Sequence, residues 1–331
     1  MIVVTGRLEQ KPSEGHQLYI KNKLKFLKSK KHELTIICDG SNGDYSLYKS
    51  PFITRLYLFI RFLFPWQSTI YGNNKNLKLL KELDKDIAFF YFPETSLLSY
   101  RYKKIESFHF PDLHSFYYYQ LYYQDKSIKN LIKSIIYKRA ENKILNISKR
   151  NLFLGLSDIK IINKENVFLT SFELNIELRS TINNNLKDFI FFRPQEELLS
   201  WIENLPDFIK MKFTLVSKSN VLKNIKTEHW VNDYNTFVSD FKFQILFDKA
   251  GSGSSTKIEY CFQRGIIPLG NFVAFRNYIS IGIKYNLIYS NEIQFNEVVN
   301  RLSNLSNLEY SSLVKSICND YNILKKNKFI S

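Results

Sequence analysis

The residues best suited to chemistry lie between Phe247 and Gly270, in FDKAGSGSSTKIEYCFQRGIIPLG. Gly251 and Gly253 can take backbone angles closed to other residues and leave no side chain between a ligand and the peptide amides. Around them Ser252, Ser254, Ser255 and Thr256 offer hydroxyls and an N-cap for a following helix. The leading amides of such a helix, at the positive end of its dipole, seat a phosphate or diphosphate, and Lys257 adds a full positive charge there. Gly265 closes the helix, and the chain returns through Pro268 to Gly270 as a buried strand. Three acid–base candidates stand elsewhere: His16, directly after the loop residue Gly15, and Asp112 and His114 in Pro111-Asp112-Leu113-His114-Ser115. Each has a plainer use, since an Asp after a proline caps helices and a single histidine is often a packed ring.

These groups need a frame, and the pattern supplies a parallel α/β one. Met1–Gly6 reads as a buried strand, 7–14 as a loop, and Gly15-His16-Gln17 as the start of a helix with alternating apolar and lysine positions. The next strand spans Glu33–Cys38. That is a βαβ unit, whose ligands gather at the carboxyl ends of its strands. Further strands are expected at 87–92, 105–110, 151–156 and 167–172, with 159–162 a turn-bound segment. The polar stretch 175–187 reads as a linker. Asp188–Phe192 opens a second unit, continued by a helix at 195–205, strands at 213–217 and 243–247, and a terminal helix over 313–330. The fold class expected is therefore α/β with two Rossmann-like domains, 1–180 and 181–331.

Charge is uneven: residues 1–150 hold 26 Lys and Arg against 13 Asp and Glu, and the rest 21 against 18, within a total of +16. An anionic partner is expected for the first half. Pro51–Trp66 is an apolar helix interrupted by Arg55 and Arg61, read either as a core helix with snorkelling arginines or as an interfacial membrane contact. Lys126–Arg150 is a helix with eight basic residues and one acid, Glu141. Its expected apolar stripe is Ile128, Leu131, Ile132, Ile135, Ile136, Ile144 and Leu145; its basic face is either simply solvated or set against an anionic membrane. No secretory leader and no membrane-spanning helix are expected. Cys38, Cys261 and Cys318 lie far apart without metal-ligand spacing and read as reduced, cytosolic packing residues.

The glycine stretch resembles that of glycosyltransferases of the two-Rossmann-domain (GT-B) kind, specifically the retaining family 4. The match runs through Gly251-Ser252-Gly253, Thr256-Lys257, Glu259, Gly265 and Pro268, with two extra residues after Gly253, Glu259 one place early and Pro268 one place late. Ser13-Glu14-Gly15-His16, followed by Leu24-Lys25-Phe26-Leu27 and Lys31-His32-Glu33-Leu34-Thr35, also resembles the family's opening. What the resemblance implies is a nucleotide-diphosphate-sugar donor held at residues 251–257, Glu259 on the ribose, and Arg193 clamping the diphosphate. The family's second clamp, a lysine, is missing after Arg193, and Lys218 stands as its substitute by position. Asp112, His114 and His16 fall on the acceptor side with Gly15. The final helix is expected to cross back onto the first domain. No cofactor and no catalytic metal are implied, and the acceptor is a glycan or a polyprenyl-diphosphate-linked sugar. The resulting expectation is a cytoplasmic, peripheral membrane enzyme of bacterial surface polysaccharide assembly (capsule or O-antigen). Its rivals are a non-enzymatic basic α/β protein on nucleic acid or an anionic surface, and an inverting transferase or epimerase of the same architecture. No nucleic-acid-binding motif surrounds the aromatic run Phe116–Tyr119, so nucleic acid is the weaker partner.

Overall fold

The computed structural model describes residues 1–8, 15–29, 33–83, 87–89, 92–162, 164–170, 186–192, 195–217, 222–229, 231, 237–252 and 255–328, with the backbone alone for 15–19, 325–328 and a few other positions. Those up to 170, with 250–252, form one compact unit; those from 186 to 249 and from 255 to 328 form another. The expected linker falls almost wholly in 171–185, outside the described residues.

The first unit is built on seven parallel strands: β1 (Ile2–Arg7), β2 (Thr35–Asp39), β3 (Tyr45–Ser46), β4 (Ile87–Phe89), β5 (Ser107–Phe110), β6 (Arg150–Phe153) and β7 (Val167–Leu169). Their order is β3-β2-β1-β4-β5-β6-β7. Ile2, Val3 and Val4 pair with Thr35, Ile36 and Ile37 on one side and with Ile87, Ala88 and Phe89 on the other. β1 is a continuous apolar run because both faces of a central parallel strand are covered. The winding reverses between β1 and β4, which makes their carboxyl ends a topological switch point. The helices are α1 (Gly15–Ser29), α2 (Phe52–Phe62), α3 (Asn74–Leu83), α4 (Ser96–Tyr102), α5 (His114–Asp125), α6 (Ile128–Ile147) and α7 (Leu156–Ile162). Phe110 stacks on Phe153 across β5 and β6 with ring centroids 4.6 Å apart.

Three expectations change here. The segment 159–162 is not a turn but the end of α7. α2 is not a core helix: Leu58 is its one buried residue, and Arg55 does not snorkel but lies over the Trp66 ring at 4.3 Å. The stripe of α6 is also redrawn, because Ile128, Ile132 and Ile135 are exposed while Ser134, Tyr137, Ala140 and Glu141 are buried with Ile144 and Leu145. Small side chains decide it. Ser134 and Ala140 let α6 run close to its neighbours, and the Ser134 hydroxyl donates to the Ser115 carbonyl at 2.8 Å.

Asn76, fully buried, ties the loop before α2 to α3: it accepts from the Tyr48 amide at 2.9 Å and donates to the Tyr48 and Tyr71 carbonyls at 3.0 and 2.9 Å. Asn76→Ala leaves those groups without this partner and is expected to cost about 2 kcal/mol, read as a lower urea midpoint at unchanged slope.

The second unit carries β8 (Lys187–Phe192), β9 (Phe213–Val216), β10 (Lys226–Glu228), β11 (Phe241–Leu246) and β12 (Ile267–Gly270), ordered β10-β9-β8-β11-β12 and parallel throughout. Phe189 stacks between Phe213 and Phe243, at 4.9 and 4.8 Å, and forms the middle of its core. The winding reverses between β8 and β11, so a second switch point lies beyond Phe192 and Leu246. Helices follow at Glu196–Glu203 (α8), Asp207–Lys210 (α9), Thr256–Arg264, Ile279–Lys284, Glu292–Ser303 and Asn307–Lys328. The last starts six residues earlier than expected because Ser306 and Glu309 form a capping box, the Ser306 amide donating to Glu309 Oε2 at 2.8 Å and the Glu309 amide to Ser306 Oγ at 3.3 Å. It lies on Thr256–Arg264 through Tyr321, whose ring is 5.2 Å from Phe262.

Candidate functional site

The glycine stretch leaves the carboxyl end of β11, beside that of β8, at the switch point of the second sheet. Its entry is pinned. The Asp248 amide donates to Asn271 Oδ1 at 3.3 Å, Asn271 Nδ2 donates to the Asp248 carbonyl at 2.7 Å, and Arg276 Nη1 reaches Asp248 Oδ2 at 3.4 Å. Tyr289 closes the same corner by donating to the Leu246 carbonyl at 3.0 Å. Asn271, Arg276 and Tyr289 were missed by sequence reasoning; Asn271 directly after the strand glycine Gly270 is the signal that pointed to them. These bonds hold the end of β11 and Asp248, the point from which the glycine stretch departs.

Gly251 and Ser252 are buried, and the Gly251 amide donates to Gln120 Oε1 at 2.8 Å within the first unit. Gly253 and Ser254 lie outside the described residues. Ser255 takes the N-cap position of Thr256–Arg264, but its hydroxyl accepts no bond from a helix amide. The leading amides are therefore not closed by the cap residue, as an anion seat requires. Lys257 is exposed in the first turn. Gly265 ends the helix in the left-handed region at φ 67°, as its position predicts. Glu259 is 3% exposed and accepts from the Tyr278 hydroxyl at 2.6 Å, so Oε1 is committed to the protein's own core. Arg193 and Lys218, the expected clamps, lie outside the described residues; β8 ends one residue before Arg193 and β9 two before Lys218.

In the first unit, Asp112 and His114 follow β5, and His114 is the first residue of α5. The half-buried imidazole stacks on Tyr137 at 5.1 Å, meets Phe92 edge-on at 5.5 Å, and has Nδ1 3.4 Å from the Asp112 carbonyl. Burial pulls its pKa down to about 4, so at neutral pH it is an uncharged ring. Gly15 and His16 open α1, where the backbone alone is described. One ionisable group escaped sequence reasoning. Glu141 of α6, 2% exposed, accepts from the Ser115 amide at 3.0 Å and from the Ser115 hydroxyl. Burial pushes its carboxyl up to about 7, against the lowering effect of both Ser115 bonds. Cys38 and Cys261 are buried with their thiols pushed up by desolvation, as packing residues are. Among the described residues no three His, Cys, Asp or Glu side chains group as a metal site, and no helix is long and apolar enough to cross a membrane.

No protein-family model matches the chain, and no curated protein matches it. Solved structures do. The chain is similar to Anabaena HepE in complex with UDP-glucose (10% identity, 99% of this chain and 96% of that one, TM-score 0.65). It is likewise similar to WaaG, a glycosyltransferase involved in lipopolysaccharide biosynthesis (11%, 98% and 98%, TM-score 0.62). A putative UDP-N-acetylglucosamine 2-epimerase from Listeria monocytogenes also aligns (9%, 95% and 90%, TM-score 0.61). What these neighbours share with the chain is its fold: two doubly wound α/β units of the GT-B type.

Proposed function

We propose that the chain is a glycosyltransferase that moves a sugar from a nucleotide-diphosphate donor to a glycan or lipid-linked acceptor. The carrying observation is Lys257, exposed in the first turn of the helix that follows β11 in the chain, after a stretch whose entry is held at Asp248 beside the switch point of the second sheet. As the glycosidic bond breaks, charge builds on the leaving diphosphate, and in this reading the helix amides with Lys257 stabilise it. UDP-glucose bound to HepE supports a donor of this class. Retention by front-face attack, with the leaving phosphate taking the acceptor proton and no metal assisting, is the mechanism that the resemblance of the glycine stretch implies. The excess of Lys and Arg in residues 1–150 supports an acceptor held at an anionic membrane in surface polysaccharide assembly, on its cytoplasmic face. The test is turnover of UDP-glucose with a membrane extract or a polyprenyl-diphosphate sugar as acceptor, followed by anomer analysis of the product. A product with the donor's anomeric configuration is expected; an inverted one overturns retention. The similarity to an epimerase carries the second reading, which the same assay separates: an epimerase returns an intact nucleotide sugar with altered stereochemistry and releases no glycosylated acceptor.

A further inference from the structure

We propose that α2 is the element that seats the first unit on an anionic phospholipid bilayer, lying in the interface plane with its apolar stripe among the headgroups and upper acyl chains. The inference rests on the membrane-held acceptor proposed above and names the surface that meets the lipid. α2 turns Phe52, Ile53, Leu56, Tyr57 and Ile60 outward, with Phe52 68%, Ile53 80% and Ile60 65% exposed, while Leu58 alone is buried. Such a stripe gains nothing from the protein's own core, and a contiguous exposed apolar face marks an interaction surface. Eleven residues of helix span about 16 Å, too short to cross a bilayer core of about 30 Å, so the helix lies on the membrane.

The stripe is held outward. Arg55 folds beneath it, donating to the Trp66 carbonyl and to Thr69 Oγ1, each at 3.3 Å. Phe52 and Phe59 meet the Trp66 ring edge-on at 5.7 and 6.0 Å. Cations rim it. Arg61 stands on α2 itself, Arg101 lies over the Phe62 ring at 5.8 Å, and Lys143 of α6 donates to the Phe62 carbonyl at 3.0 Å. No Asp or Glu occurs between residues 45 and 81, and the single acid of α6, Glu141, is buried. An apolar stripe bordered by Arg61, Arg101 and Lys143 matches an anionic bilayer, whose headgroups attract the cations while the stripe leaves water. A second copy would bring like charges together at the same face.

Flotation with phosphatidylcholine vesicles, with and without phosphatidylglycerol, tests it on the full chain. Wild type should float with the anionic vesicles and lose that binding as salt rises. The double variant I53D/I60D should partition at least about tenfold less. L308D, altered at an 84% exposed leucine of the second unit, should float as wild type does. Thermal stability and the nucleotide-induced thermal shift should be unchanged in I53D/I60D, because its altered side chains point into solvent. Flotation of I53D/I60D equal to wild type, or no flotation of either, overturns the inference. So does sedimentation in which I53D/I60D turns a dimer into a monomer, which would give the face to a second copy. Because nucleotide binding is read on the same samples, losing the membrane surface and losing the donor site are told apart.

Discussion

Lys257→Ala should lower kcat/KM for donor turnover about a hundredfold while leaving thermal stability unchanged. The magnitude follows from the role proposed for Lys257, a positive group that meets charge developing only as the bond breaks, whose removal costs about 10²–10³ in rate. Stability is spared because the Lys257 side chain is exposed, while its helix packs on the core through Ile258 and Phe262. Lys257→Arg keeps the charge and should recover most of the rate. Steady-state kinetics on the three proteins checks this. Rates within twofold of one another would remove Lys257 from the site.

Glu141→Gln should change the pH dependence of stability by about 3 kcal/mol. The carboxyl ionises at 4.5 when unfolded and at about 7 in the folded protein, so the folded state holds its proton more tightly. Its stabilising contribution is complete below pH 4.5 and is lost as pH rises through 7; a shift of this size is worth about 3 kcal/mol. His114 acts in the opposite sense: its folded pKa of about 4 lies below the ordinary 6.5, so its contribution is present above 6.5 and lost as pH falls toward 4. In the wild type the two oppose each other between pH 4.5 and 6.5. Glutamine copies the protonated acid, so the variant's advantage over wild type should grow with pH through that window, and its own stability should rise with pH as His114 is left unopposed. Hydrogen exchange of the α5 and α6 amides across pH 4.5 to 8 reads this locally. Parallel profiles for the two proteins would mean that Glu141 ionises normally.

Much of the frame was legible because it is written in local patterns. Ile2–Val4 is an apolar run of the kind a central parallel strand needs, and Gly265 marks a left-handed helix end that few other residues tolerate. What escaped depends on partners distant in the chain. Glu259 reads as a ligand residue in sequence, yet Tyr278, nineteen positions on, takes its carboxylate inside the core. Glu141 reads as the one acid on a basic helix, and only the approach of Ser115 shows that it is buried. α2 misled for the opposite reason: composition shows that a helix is apolar but not which way its apolar side faces, and here it faces water. The early start of the terminal helix is written in the Ser306–Glu309 spacing, which is that of a capping box.

A nucleotide-diphosphate seat at the glycine turn should show itself in the thermal shift of wild type and Lys257→Ala with UDP, GDP, CMP and their sugar conjugates. A ligand that binds only the folded state at a hundredfold excess over its dissociation constant adds about 2.7 kcal/mol of apparent stability. The melting temperature of wild type should rise with one nucleotide and its sugar conjugate, and that rise should be lost in Lys257→Ala. A folded wild type that none of these ligands shifts would make the turn an ordinary loop and leave the chain without a donor seat there.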